Sequence, residues 1–241
     1  MEAVILKMLF IVSVSAQFGK HVYVSNRMTW DDAQKNCRTH YTDLSPLATR
    51  WEEEVLKNAT AGKVYGEFYI GLYHTGTEWR WSGGGLATDI PWYVNQPDNG
   101  ASAVGFVCWG RCAWSGWHDA GPLTKFPFFC FNLMVMEEEM SWEQALTHCT
   151  QTHTTLTSLT SETEHLLALS EIQQEWITER VWIGLRYISD DWLWVDGSPL
   201  EYQAWSPEKD QCPLWKRCGA LTKEGKWESV DCNVRLNFIC Y

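Results

Sequence analysis

The chain has 241 residues, 30 acidic against 19 basic side chains, a formal net charge of −11 and a hydrophobic share of 45%. That length holds one large or two modest globular domains. The acidic balance argues against nucleic acid and anionic lipid surfaces as partners, and it suits neutral sugars, cations or basic protein patches.

At the N-terminus, Lys7 precedes the apolar run Met8 to Ala16, which closes on small residues at Val14 and Ala16. This pattern predicts a secretory leader over residues 1–16, cut before Gln17; the other reading is a buried N-terminal strand. No other apolar run approaches the length of a membrane span, so a secreted, extracellular chain with no membrane anchor is expected. Next come a strand at His21-Val22-Tyr23-Val24, a helix capped by Thr29-x-x-Asp32, and a second helix capped by Thr49-x-x-Glu52. Ser or Thr followed three residues later by an acid or amide satisfies orphan helix N–H groups. Asn58-Ala59-Thr60 is a glycosylation sequon near the end of that second helix, with Asn58 as the acceptor. Strands are predicted at Phe68 to Leu72, at Trp79-Arg80-Trp81 and at Phe128 to Phe131, with a turn at Gly83-Gly84-Gly85. A long segment rich in Gly, Pro, Asp and Asn lies between them, and long ordered loops are usually functional.

From Leu133 the pattern begins again. Ser141-x-x-Gln144 and Ser161-x-x-Glu164 repeat the two caps, and Trp142 and Cys149 repeat Trp30 and Cys37. Ile183-Gly184-Leu185 repeats Ile70-Gly71-Leu72, and Trp205, Cys218, Trp227 and Cys240 repeat Trp92, Cys108, Trp117 and Cys130. Two copies of this length are a duplicated domain, not a solenoid. The boundaries are 17–131 and 132–241, with almost no linker, so the copies are expected to lie close together. Sixteen tryptophans at largely matched positions point to aromatic cores.

Nine cysteines in a secreted chain read as a disulfide framework. The repeat suggests Cys37–Cys130 and Cys149–Cys240, each joining an early helix to the last strand. Cys218–Cys232 is a natural inner pair. In the first copy Pro122 stands where Cys232 stands in the second, so Cys108 is left for nearby Cys112, and Cys212 is odd. Cys108-x3-Cys112 lacks a second ligand pair at zinc spacing.

The order of Cys helix, second helix, Trp182-Ile183-Gly184-Leu185, Trp-x-Trp, Gln96-Pro97-Asp98, Trp117-His118-Asp119 and closing Phe-x-Cys resembles the C-type lectin domain, twice over. The tandem layout is similar to the mannose-receptor-like group. The resemblance implies an α+β fold, each domain having two helices, two small antiparallel sheets and a long loop. It also implies that the loop of sugar-binding members holds Ca2+, with a cis proline in the triplet. Gln96, Asp98 and Asp119 match the metal-ligand types, and the same residues with Asn99 and His118 form the expected ligand-binding set. Phe106 and His118 depart from the Glu and Asn of the family, and imidazole is a poor partner for a hard cation. The Gln-Pro-Asp order resembles the galactose type, yet Gly100-Ala101-Ser102 follow it where an aromatic is expected. Trp109 and Trp114 are candidate sugar platforms, although packing is the preferred role for each.

The second copy carries Trp205-Ser206-Pro207-Glu208 and Trp227-Glu228-Ser229, so it reads as a calcium-free copy whose Glu208 and Glu228 are solvated acids. His148 and His153 do not share one helical face, and a surface role suits them better than a metal. No nucleophile and base stand together, so an enzyme is not expected. Glycans or glycoproteins are the expected partners, with a calcium-independent protein-binding module as the other reading; the sequence leaves the oligomeric state open.

Overall fold

The computed structural model describes residues 15–98, 103–110, 112–152, 154–206 and 215–241. The first domain opens with the hairpin of β1 (Ser15–Phe18) and β2 (His21–Met28), followed by α1 (Trp30–His40), β3 (Asp43–Leu44) and α2 (Arg50–Thr60). It continues through β4 (Gly66–His74), β5 (Trp79–Trp81), β6 (Val104–Trp109), β7 (Gly116–Ala120) and β8 (Phe126–Phe131). The second domain comprises β9 (Met134–Met140), α3 (Trp142–Thr152), α4 (Glu162–Glu171), β10 (Arg180–Ile188), β11 (Asp191–Trp194), β12 (Cys218–Thr222), β13 (Trp227–Val230) and β14 (Leu236–Cys240). Ser15 and Ala16, which fall inside the expected leader, pair with Val24 and Tyr23 of β2.

The predicted caps form. Thr49 accepts a hydrogen bond from Glu52 N, and the Glu52 carboxylate reaches back to the Thr49 N–H at 3.1 Å. Ser141 and Gln144 make the same reciprocal pair, while Thr29 and Ser161 cap α1 and α4. Helix α1 then buries Trp30, Ala33 and Cys37, and α3 buries Trp142, Ala145 and Cys149. Spacings of three and four residues place each trio on one face.

The repeated words of the sequence are packing devices. Trp30 donates its indole N–H to the Ile70 carbonyl at 2.9 Å, and Trp142 does so to Ile183 at 2.9 Å. A buried indole needs such an acceptor. A Cβ on Gly71 would lie 3.0 Å from the Leu44 carbonyl oxygen, and one on Gly184 would lie 2.8 Å from that of Leu156. Both Ile-Gly-Leu triplets therefore require glycine where a neighbouring chain crosses.

Each domain carries two antiparallel ladders, as expected, but they fuse into one mixed sheet. In the first, β4, β5, β6 and β7 join the β1, β2, β3 and β8 ladder through a parallel step between Tyr69 and Phe128. In the second, β10 meets β14 in parallel at Val181 and Trp182. Disulfides link Cys37 to Cys130, Cys149 to Cys240, Cys218 to Cys232 and Cys108 to Cys112. Cys212 lies outside the described residues.

The two domains are docked. Lys20, 7% exposed, places its ammonium 3.0 Å from the fully buried Glu164 carboxylate and 2.8 Å from the Ser158 carbonyl oxygen. The Gly83-Gly84-Gly85 turn lies against α4: Thr163 donates to the Gly84 carbonyl at 2.9 Å, and a Cβ on Gly83 would lie 2.5 Å from Leu167 Cγ.

Candidate functional site

The long loop of domain 1 returns to β7 through the Gln96–Pro97 bond, which is cis as expected. The Asp98 N–H donates to Asp119 Oδ1 at 2.9 Å, and the Asp119 N–H donates to Gln96 Oε1 at 3.2 Å. Three residues 21 to 23 positions apart in sequence thus meet. Asp119 is buried, at 4% exposure, while Asp98 is exposed. Asn99 lies outside the described residues.

Rings occupy the neighbouring positions. Phe106 on β6 and His118 on β7 are register partners, so their side chains share one face of the sheet. Their rings stack at 5.2 Å and 21°, and Tyr93 stacks on His118 at 5.1 Å and 26°. Phe126 lies 4.8 Å beyond Phe106. His118 Nε2 donates to the Trp114 carbonyl at 2.9 Å. His118 is thereby a rung of a ring ladder and not an ion ligand. Trp114 is 47% exposed and lies edge-on to Tyr93 at 6.5 Å, whereas Trp109 is 4% exposed. Of the two candidate platforms, packing is the role of Trp109 alone. Beside the ladder is a hollow of about 450 Å³ bounded by Glu67, Trp114 and the Cys108–Cys112 disulfide.

Calcium takes six to eight oxygens. Here Gln96 Oε1 and Asp119 Oδ1 already accept backbone N–H groups, and Phe106 and His118 bring no oxygen. Among the described residues the donor set does not make up a complete calcium shell. Among the described residues, the His, Cys, Asp and Glu groups close enough to share an ion are Glu143, Cys218 and Cys232. The two sulfurs there are joined in a disulfide.

In domain 2, Trp205 bridges Trp227 just as Trp92 bridges Trp117. Glu228 is a partly exposed surface acid that pairs with Arg180 at 2.9 Å. Ser229 stands where domain 1 has Asp119, and Glu208 lies outside the described residues. His148 packs on Phe238 at 5.4 Å, and His153 lies outside the described residues. Asn58 is exposed on the last turn of α2.

Tyr93 was not singled out by its sequence. The available sign was an aromatic placed three residues before the triplet, whereas the family resemblance directs attention to the residues after it.

The sequence profile of the Lectin C-type domain matches residues 26–131 and 138–241. The chain belongs to the C-type lectin domain family. Its relatives include the human secretory phospholipase A2 receptor, 35% identical over 46% of this chain and 8% of the receptor. Human lymphocyte antigen 75 is 24% identical over 93% of the chain and 15% of that protein. The chain spans only a small part of these relatives. Among solved structures, the carbohydrate-recognition domain of cow CD23, in the presence of an oligosaccharide, is 28% identical over 45% of this chain and 84% of its own, with a TM-score of 0.41. A calcium-independent type II antifreeze protein is 26% identical over 45% of this chain and 82% of its own, with a TM-score of 0.40. The family match covers both copies of the repeat. Among the described residues no helix is long and apolar enough to cross a membrane.

Proposed function

We propose that the chain recognises glycans through domain 1, at the junction of Gln96, Asp98 and Asp119, without needing a calcium ion. The observation that carries this reading is the pair of hydrogen bonds tying Gln96 and Asp98 to Asp119 across a cis proline. Asp98 stays exposed there, and the Gln96 N–H donates to the Tyr93 carbonyl at 2.9 Å, which ties the triplet to an aromatic residue. Sugar hydroxyls suit the Asp98 carboxylate and an apolar sugar face suits Tyr93, which is 38% exposed. The Gln-Pro-Asp order favours galactose-type hydroxyl pairs. Domain 2 supports its neighbour. The apolar N-terminal run and the disulfides favour a secreted chain, and Asn58 is the proposed glycan attachment point.

Retention on immobilised galactose and mannose tests the reading. Wild type is expected to be retained equally with calcium or chelator, and Asp98→Ala is expected to elute early. Retention indifferent to Asp98→Ala would reject it. The ring ladder with exposed Trp114 favours, as second reading, a protein ligand; elution of wild type with the void from both sugars would turn the assignment that way.

A further inference from the structure

The interdomain boundary holds a groove that the triplet site does not use. It has a volume of about 320 Å³ and runs between the start of α2, the 88–91 loop of domain 1 and Glu201 of domain 2. That is within the size range of small-ligand sites, which occur preferentially at domain boundaries. We propose that this groove is a second saccharide subsite, built from both domains and selective for neutral oligosaccharides.

Three features support the assignment. Trp51, 42% exposed, offers an aromatic surface on which a sugar ring can stack. Glu53, Asp89 and Glu201 supply acceptors for hydroxyl groups, and the Arg50 guanidinium supplies donors. Three carboxylates against one guanidinium repel acidic sugars, leaving neutral ones. Trp117 also borders the groove and is 3% exposed, so it forms part of the floor. Asp89 holds a left-handed backbone, φ +53°, at the rim. Such strain in a non-glycine residue collects at ligand sites.

The groove is independent of the Gln96 junction, so the two assignments fail separately. The full chain, in chelator, would be titrated with chitotriose, maltotriose and N-acetyllactosamine, and saturation transfer to each sugar recorded by NMR. At least one is expected to bind wild type and Asp98→Ala alike. Trp51→Ala and Glu201→Gln are each expected to weaken that binding by about fivefold or more. Both side chains are exposed, and the Glu201→Gln exchange conserves shape, so folding is retained. Binding abolished by Asp98→Ala but untouched by Trp51→Ala and Glu201→Gln would overturn the proposal and assign the sugar to the first site. Absence of transfer to all three sugars would overturn it as well.

Discussion

His21 shows how one residue ties position in the chain to pH response. It is fully enclosed beside Ser45 Oγ, and burial pushes its pKa down to about 4, with Glu164 opposing and Lys20 assisting. The unfolded chain therefore binds more protons than the folded one between pH 6.5 and 4. Stability is fully present above that window and falls through it, by about 3 kcal/mol in all. Chemical denaturation of wild type and His21→Gln across these pH values reads it: the variant is expected to lose the slope, and an unchanged slope would place the titration elsewhere. Phe106 and His118 were legible as departures from the family pattern. That they stack on each other and on Tyr93 was not, because ring stacking depends on strand register, which no residue type announces.

Helices were the most legible elements, because a cap is a local chemical event. Thr49→Ala removes one acceptor of the reciprocal pair at α2 and is expected to cost about 1 kcal/mol of unfolding free energy in thermal melts. Strand positions were legible from alternation, but their fusion into one sheet per domain was not. The parallel step between Tyr69 and Phe128 joins residues far apart in the chain, and local pattern carries no information about it. The three-glycine turn was read as a turn, and its contact with α4 came only from the folded chain. Gly83→Ala would drive a methyl group against Leu167, at an expected cost of about 1–3 kcal/mol. Loss of protection at α4 amides in hydrogen exchange would report it; unchanged protection would mean the turn yields freely.

At the scale of the whole molecule, duplication was written plainly in the sequence and docking was not. The glutamates of equivalent caps, Glu52 and Glu164, meet at the boundary, much as one patch meets itself across a two-fold interface. Burial first, then Glu164, push the Glu52 carboxyl well above its usual range. Burial also pushes Glu164 up, but Lys20 and hydrogen bonds from Glu52, Thr160 and Lys20 outweigh it and hold Glu164 below. The Glu52 carboxyl is thus favoured in its neutral form, while Lys20 neutralises the charge of Glu164. Lys and Glu are rarely buried unless paired, so sequence alone assigns them to the surface. Lys20→Met leaves Glu164 uncompensated and is expected to destabilise by about 3–5 kcal/mol, with Lys20→Met/Glu164→Gln recovering most of it. Calorimetric melts decide: equal losses in single and double variants would remove the ion pair from the account.

The central proposal is that domain 1 keeps an oxygen-bearing junction at Gln96, Asp98 and Asp119 while the rings of Phe106 and His118 stand where further ion ligands are expected. Calcium titration calorimetry on wild type and on Phe106→Glu/His118→Asn tests it most directly. Wild type is predicted to bind no tighter than about millimolar, and the double variant at least about tenfold tighter, since ligand charge and number set affinity. Micromolar binding by wild type, or no gain in the double variant, would contradict it.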